Sequence, residues 1–386
     1  MDTLSESAAE VSLRLPAATI FLSAFLLFQV QPVVGKLVLP WFGGGAGVWT
    51  TCLLFFQMLL LLGYLYAHLV VRHLSHRWQV RLHGGLLLAA LLTLPLRLHP
   101  LFRPADGAEP LARLLALLAI TVGLPYLLLS TTGPLVQAWV ARRGHVPYRL
   151  FALSNLASML ALLSYPLVVE PFVPLRAQSW LWSAGFVVFA VLVFSMARRN
   201  AQELPLAQFA QEPETAPAAG LKVLWIVFAA VPSMLLMAVT THLSTNVAPI
   251  PFLWVLPLAL YLLSFILCFE GTRWYRRGLF LGLLPVLLTV MTLSLKPNFR
   301  LVDYHFQALN AAAGWLSSIR GQVLLFSAGL FVICMMAHGE LARRRPHPQF
   351  LTGFYLRISL GGALGGCFVA LLAPRFFTTY LELPLG

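Results

Sequence analysis

The fold is decided by a pattern that occurs twice: residues 141–171 read ARRGHVPYRLFALSNLASMLALLSYPLVVEP, and residues 342–374 read ARRRPHPQFLTGFYLRISLGGALGGCFVALLAP. Each stretch has Ala-Arg-Arg, then proline, then an apolar run that ends at another proline. A shift of 203 positions pairs Phe151 with Phe354, Leu153 with Leu356 and Pro171 with Pro374. A shift of 205 positions pairs Trp49 with Trp254. Because self-similarity at a fixed period indicates a duplicated unit, the sequence predicts two related halves.

The composition indicates that lipid is the main solvent of this chain. Of its 386 residues, 59% are hydrophobic and only 10% are charged, whereas soluble domains carry about 25% charged residues. The formal net charge of +13 would favour nucleic acid in a soluble protein. Here no Lys/Arg run is interleaved with aromatic residues as nucleic-acid binding requires. We therefore expect the lipid bilayer, and not nucleic acid, as the partner.

The apolar runs predict an all-α, polytopic transmembrane bundle of about 11 helices, since about 20 apolar residues cross a bilayer. The runs are roughly 16–39, 47–71, 80–98, 111–140, 148–169, 175–197, 221–244, 250–270, 277–295, 321–341 and 350–373. Basic residues cluster after every even-numbered run, with three Lys or Arg in each cluster. Because cytoplasmic loops carry the excess of Lys and Arg, this bias predicts a cytoplasmic N-terminus.

The repeat also predicts the division into domains. Residues 1–197 form an N-terminal six-helix membrane half, residues 198–220 a polar cytoplasmic linker, and residues 221–386 a C-terminal half of five helices. Two such halves in one chain give a pseudo-symmetric, two-half architecture. The duplication implies a twelfth helix after Pro374, which the sequence does not contain, so we expect the second half to be incomplete.

Polar residues inside the apolar runs are the candidate ligand-binding residues, because polar groups are costly in a bilayer. The first run carries Gln29, Gln31 and Lys36 beside Pro32, which is expected to break or kink the helix. The seventh run ends in a similar polar segment with His242 and Asn246. Interruptions at matching positions of two halves favour a central polar pocket. The alternative is that these groups pair with each other and hold the structure together.

Asn155 and Arg357 occupy nearly equivalent positions in the two copies of the repeat. Arg357 could bind an anionic ligand or a lipid headgroup, or pair with a carboxylate such as Glu340. It could also extend to the cytoplasmic surface, because it lies only about 10 Å from the start of its helix at 1.5 Å per residue. Glycines four residues apart in the same helix, Gly361 and Gly365, favour close helix packing.

The sequence predicts no cofactor and no metal site in this chain. The four cysteines lie in apolar runs without CxxC spacing, and the histidines are scattered. No nucleophile with a base and no carboxylate pair lies at mid-membrane depth, so we expect no catalytic residues here. A polyamine would need carboxylates in the membrane, and the embedded ionisable groups are basic or neutral.

Five stretches resemble the membrane portion of bacterial proteins described as fused major-facilitator-like and spermidine-synthase-like. They are GAGVWTTCLLFFQMLLLLGYLY (45–66), STTGPLVQAW (130–139), PYRLFALSNLASMLALLSYPLVVEP (147–171), HLSTNVAPIPFLWVLPLALY (242–261) and LTGFYLRISLGGALGG (351–366). The resemblance implies a bacterial inner-membrane protein with a major-facilitator-like two-half architecture. It also implies a soluble synthase-like domain that would bind a decarboxylated S-adenosylmethionine-like ligand and transfer an aminopropyl group. No residue of this chain matches that chemistry.

Two functions stay open from the sequence. The chain is the transporter-like module of a transporter–synthase fusion, with a small metabolite bound between its halves. Alternatively it is a non-transporting scaffold that anchors a synthase-like domain or a membrane complex. A membrane-embedded enzyme is the least supported reading. The usual transporter signature after the second run is also missing, because residues 68–81 contain no Asp or Glu.

Overall fold

The computed structural model describes residues 2–43, 46–103, 110–142, 148–202, 216–244, 252–295, 314–316 and 318–369. Helix is the only regular secondary structure in these residues. The helices before the polar linker are α1 (Asp2–Phe42), α2 (Ala46–His73), α3 (His76–Leu91), α4 (Pro110–Leu118), α5 (Leu124–Ala141), α6 (Tyr148–Ser164), α7 (Glu170–Phe172) and α8 (Leu175–Gln202). The helices after it are α9 (Ala219–His242), α10 (Phe252–Glu270), α11 (Arg277–Ser294), α12 (Ile319–Arg343) and α13 (Leu351–Cys367).

The described residues contain eight helical segments that are long and apolar enough to cross a membrane. They are Leu13–Phe42, Gly47–His73, Leu111–Ala141, Tyr148–Phe172, Leu175–Arg198, Ala219–His242, Arg277–Ser294 and Ile319–Arg343. Two of these spans are continuous only through a π-helical segment, Ala119–Gly123 between α4 and α5 and Tyr165–Val169 between α6 and α7. The all-helical, membrane-type fold agrees with the sequence.

Of the eleven expected spans, the third is shorter than predicted, and the eighth and eleventh are not among the eight segments. α3 ends at Leu91 rather than at residue 98, because Pro95 and Pro100 cannot continue a helix. α10, Phe252–Glu270, matches the expected run 250–270 to within two residues. α13 ends at Cys367, and residues beyond 369 lie outside the described part of the chain.

The surfaces of these helices are apolar to a degree that suits lipid rather than water. Large hydrophobic side chains lie exposed along α2, α8 and α11; they include Leu53, Leu62, Val187, Val191, Leu279 and Val286. Soluble proteins rarely expose apolar patches of more than a few hundred Å². Exposed leucines and valines that recur along the length of several helices therefore indicate a membrane protein.

The chain divides into two compact units. The first comprises Met1–Ala218 with Pro346–Ser359, and the second comprises Ala219–Arg345 with Leu360–Gly386. The boundary between α8 and α9 falls in the segment expected to be a linker, although α8 continues to Gln202. The sequence did not indicate that the first turns of α13 belong with the first unit.

In the first unit, α1 is the central helix and packs against α5, α6 and α8, while α2 packs along α5. The helix continues through Pro32 to Phe42, so Pro32 does not break α1. Gly63 permits α2 and α5 to pack closely, because a Cβ at this position would overlap the Ser130 side chain. A proline such as Pro32 leaves a backbone carbonyl without its helical hydrogen bond, and neighbouring helices can supply a partner for it.

In the second unit, α12 is the central helix and packs against α9, α10 and α11. α13 approaches α9 through Gly361 and Gly365, where an added Cβ would overlap the backbone oxygens of Ile226 and Ala230. Ser233 on α9 donates to the carbonyl oxygen of Gly362 at 2.9 Å. The prediction that these glycines permit close helix packing is therefore confirmed.

Candidate functional site

Gln29 is buried in the middle of α1 and bonds to α6. Its side chain is 6% exposed. The amide nitrogen donates to the carbonyl oxygen of Ala161 at 3.0 Å and to the hydroxyl of Ser164 at 2.9 Å. An amide NH₂ has two donors, so both are engaged inside the first unit. Gln29 thereby fixes α1 to the C-terminal end of α6.

The other two candidate residues on α1 also have partners in the first unit. Gln31 contacts the hydroxyl of Tyr126 on α5, with 3.3 Å between Nε2 and the phenol oxygen. The ammonium of Lys36 lies 2.5 Å from a carboxylate oxygen of Glu170, and both side chains are half-exposed. Gln29, Gln31 and Lys36 therefore share one helix and tie it to α5, α6 and α7.

The π-helical segment Tyr165–Val169 positions the groups that meet α1. Pro166 has no N–H and cannot make the ordinary helical hydrogen bond, and the chain widens into a π turn there. Such turns are common at functional sites. The segment lies between Ser164 and Glu170. Ser164 accepts a hydrogen bond from Gln29, and Glu170 forms an ion pair with Lys36. Sequence reasoning missed Ser164 as a partner, although the prolines nearby could have indicated an irregular helix.

His242 closes α9 in the second unit. The residue is buried, its Nε2 lies 3.2 Å from Oε1 of Gln322 on α12, and its ring centroid lies 4.3 Å from that of Phe326. Asn246, its predicted companion, lies outside the described residues. His242 thus connects α9 to α12, the central helix of its unit.

Asn155 and Arg357, the equivalent pair in the repeat, make the same kind of contact. The amide of Asn155 donates to the carbonyl oxygen of Phe151 at 2.8 Å, and the guanidinium of Arg357 donates to that of Gly353 at 2.7 Å. Each side chain therefore bonds its own helix four residues back. Glu340 takes its ion-pair partners, Arg277 and Arg344, from the second unit.

A charged cluster at the end of α12 was not predicted as a unit. We call it the Glu340 cluster: Glu340, Tyr275, Arg277 and Arg344. The buried carboxylate of Glu340 accepts from the Tyr275 hydroxyl at 2.9 Å, pairs with Arg277 at 3.0 Å and also pairs with Arg344. Burial, followed by the hydrogen bond to Glu340, raises the pKa of Tyr275. The phenol is therefore a neutral donor at physiological pH.

The corresponding end of α5 carries a neutral cluster, the Trp139 cluster: Trp139, Gln79 and His76. The indole N–H of Trp139 donates to Oε1 of Gln79 at 2.8 Å, and the Gln79 amide donates to the carbonyl oxygen of Leu74 at 2.8 Å. The His76 ring lies edge-on to Trp139 with centroids 5.4 Å apart. Both Gln79 and Trp139 are buried.

In the described part of the chain, no three His, Cys, Asp or Glu side chains come together to hold a metal ion. Cys52, Cys268 and Cys334 are buried and unbridged, as small core side chains. The sequence matches no protein-family model. A search of curated proteins finds no match either.

Proposed function

We propose that the chain is a transporter-type membrane module that handles a small metabolite, as in the fused major-facilitator-like and spermidine-synthase-like proteins it resembles. The observation that carries the proposal is the placement of Gln29 and His242. Each is a buried polar residue on the first long helix of its unit, and each bonds another membrane helix. Ionisable and polar groups inside a membrane mark ligand pathways by default.

The module belongs in a bacterial inner membrane with its N-terminus in the cytoplasm. The supporting argument is the distribution of Lys and Arg, which cluster after every even-numbered apolar run. This orientation places the ends of α2, α5 and α12, and with them the Trp139 and Glu340 clusters, at the cytoplasmic face.

The metabolite is neutral or anionic rather than a polyamine. Within the eight described spans the acidic residues are Glu170 and Glu340. Glu170 pairs with Lys36, and Glu340 pairs with Arg277 and Arg344. Because both carboxylates already have cationic partners, neither offers an uncompensated charge to a polycation.

One observation favours the second candidate function, a membrane scaffold for a synthase-like domain or a larger complex. Gln29, Gln31 and Lys36 each donate to a partner within the first unit. Side chains that already hold helices together need no ligand to justify their place in the membrane.

The experiment compares metabolite retention and uptake. Purified full chain is equilibrated with a soluble bacterial metabolite extract, retained compounds are identified by mass spectrometry, and each is tested for uptake into proteoliposomes beside labelled spermidine. We expect a neutral or anionic compound to be retained and taken up. His242→Ala should lower this uptake about tenfold or more, which corresponds to about 1.4 kcal/mol or more of lost interaction. The sequence alone predicts the same loss for Asn246→Ala.

The matched control is Thr289→Val on α11, because Thr289 is exposed and bonds only its own helix at Pro285. Its uptake should equal that of the wild type. No retained compound and no uptake of any probe would contradict transport, and co-purification with a synthase-like partner would then establish the scaffold. Equal uptake by wild type and His242→Ala would remove the proposed role of His242.

A further inference from the structure

The first turns of α13 are firmly attached to the first unit. Tyr355 is buried, its hydroxyl donates to Oε1 of Gln137 on α5 at 2.7 Å, and its ring stacks on Phe151 of α6 with centroids 4.8 Å apart. The hydroxyl of Thr352 lies 3.0 Å from Nδ1 of His68 on α2. Three helices of the first unit therefore fix the position of this segment.

Gly353 allows two basic side chains to approach the same point. A Cβ at position 353 would lie 3.1 Å from Nη1 of Arg357 and 3.4 Å from Cε1 of His68. With no side chain at Gly353, the guanidinium and the imidazole lie on the same side of α13. Nδ1 of His68 is engaged with Thr352, which leaves Nε2 as the ring nitrogen directed to other partners.

Positive charge accumulates around this point. The charged groups that act on His68 are Arg357, Arg72 and His73, and all of them are basic. Arg72 follows His68 by four residues on α2, so the two lie on one face of the helix. Among the described residues, the ion pairs of the carboxylates go to Lys36, Arg273, Arg277 and Arg344, and none goes to this group.

The geometry points to a binding site for a phosphate group, formed by His68, Arg72, Thr352 and Arg357, which we call the Arg357 cluster. The planar guanidinium binds phosphate through two parallel hydrogen bonds. Arg357 uses Nη1 on Gly353 and retains other N–H donors. Several cations beside one buried hydroxyl match a doubly charged phosphate better than a single carboxylate. The first turn of α13 adds the partial positive charge of a helix N-terminus.

The phosphate can belong to an anionic lipid headgroup or to a soluble compound, and both use the same side chains. The charge bias puts the ends of α2 and α13 that form the cluster at the cytoplasmic face, where anionic lipids and soluble phosphates are both present. The site does not depend on transport, because every residue of the cluster belongs to the first unit.

The test uses the purified full chain in nanodiscs with two probes. Radiolabelled inorganic phosphate is titrated in pure phosphatidylcholine. Retained phosphatidylglycerol is counted by native mass spectrometry after reconstitution in an equimolar mixture with phosphatidylcholine. We expect Arg357→Gln and His68→Gln to weaken binding of at least one probe by about tenfold or more, since hydrogen bonds to charged groups contribute about 1.5–3 kcal/mol.

Two further variants keep the result interpretable. Arg72→Gln removes an exposed residue without disturbing the packing, so it tests the site even if Arg357→Gln fails to fold. Arg81→Gln is the control: Arg81 is also exposed in the first unit, but it lies over the ring of Trp78, with Cζ 5.2 Å from the centroid. Arg81→Gln should bind both probes as the wild type does.

The outcomes distinguish a lipid headgroup from a soluble phosphate, and they also show whether the site exists. Loss of phosphatidylglycerol alone in the cluster variants identifies a lipid headgroup, and loss of phosphate alone identifies a soluble ligand. Equal retention of both probes by wild type, Arg72→Gln and the folded cluster variants would overturn the site. An equal loss in Arg81→Gln would also overturn it, because general surface charge would then explain the binding.

Discussion

The ends of α5 and α12 are each attached to another part of their own unit, but through different kinds of interaction. Trp139 and Glu340 each stand two residues before an Ala-Arg dipeptide, Ala141-Arg142 and Ala342-Arg343. Trp139 attaches the end of α5 to the first turn of α3, and Glu340 attaches the end of α12 to Tyr275, just before α11, and to Arg277 at the start of α11. Trp139 does so with a neutral hydrogen bond to Gln79, and Glu340 with a buried carboxylate that meets Tyr275 and two arginines.

The comparison shows that both copies of the repeat keep a contact at the end of this helix, whereas the residue types that form the contact differ. At a shift of 201 positions, Leu74 corresponds to Tyr275 and His76 to Arg277. In the first unit the aromatic residue of the contact is Trp139, on helix α5. In the second unit it is Tyr275, in the connection between α10 and α11. A neutral contact depends on shape and hydrogen bonding. An ionic contact depends also on charge, because a buried carboxylate needs compensation.

The largest expected effect comes from Glu340→Gln. Removal of one partner from a buried ion pair costs about 3–5 kcal/mol. Here Arg277 and Arg344 are 52% and 33% exposed and can regain water, so we expect a loss of about 2–3 kcal/mol in the free energy of unfolding. The measurement is an SDS titration in mixed micelles. No loss of stability would show that the Glu340 cluster does not hold the second unit together.

A smaller effect is expected from Gly339→Ala. A Cβ on Gly339 would overlap the ring of Tyr275, and overpacking of a buried site costs about 1–3 kcal/mol. The equivalent position in the first unit already carries a Cβ, as Ala138. Gly282→Ala is the control, since a Cβ there meets nothing within 4 Å, and the same titration should show it neutral or stabilised. Equal destabilisation of both variants would contradict the contact with Tyr275.

The smallest of these effects is expected from Trp139→Phe. The substitution keeps an aromatic ring and leaves Oε1 of buried Gln79 without its donor, which costs about 1–3 kcal/mol, near the lower end because the groups are neutral. Trp78→Phe is the matched control, because Trp78 is 58% exposed. The thermal midpoint should fall for Trp139→Phe and stay unchanged for Trp78→Phe. A reversed order would show that the Trp139 cluster carries no stability.

The sequence predicted the helices better than their contacts. The apolar runs located most spans because a 20-residue apolar run has few alternatives to a membrane helix. The sequence-based prediction misplaced the end of α3, because prolines end this helix inside an apolar run. It identified Gln29 as costly in a membrane, but its acceptors lie 132 and 135 residues away, and no local pattern encodes that separation.

The candidate site shows the same limit. Residue type marked Arg357 as exceptional, yet its neighbours His68 and Thr352 became visible only when α13 was placed against α2. No sequence pattern indicated the partners of Glu340, which is buried and pairs with Arg277 at the start of α11 and with Arg344 at the end of α12. Charge and hydropathy predict which residues need partners, and tertiary packing decides which partners they have.

The comparison is tested most directly by hydrogen exchange of the full chain in nanodiscs, followed by mass spectrometry. Glu340→Gln should accelerate exchange in residues 271–277 and leave residues 72–79 unchanged, while Trp139→Phe should do the reverse. We expect each variant to affect only its own segment, because the two contacts are separate. Faster exchange in both segments with either variant, or in neither segment with both variants, would contradict the claim that each unit holds its own helix ends.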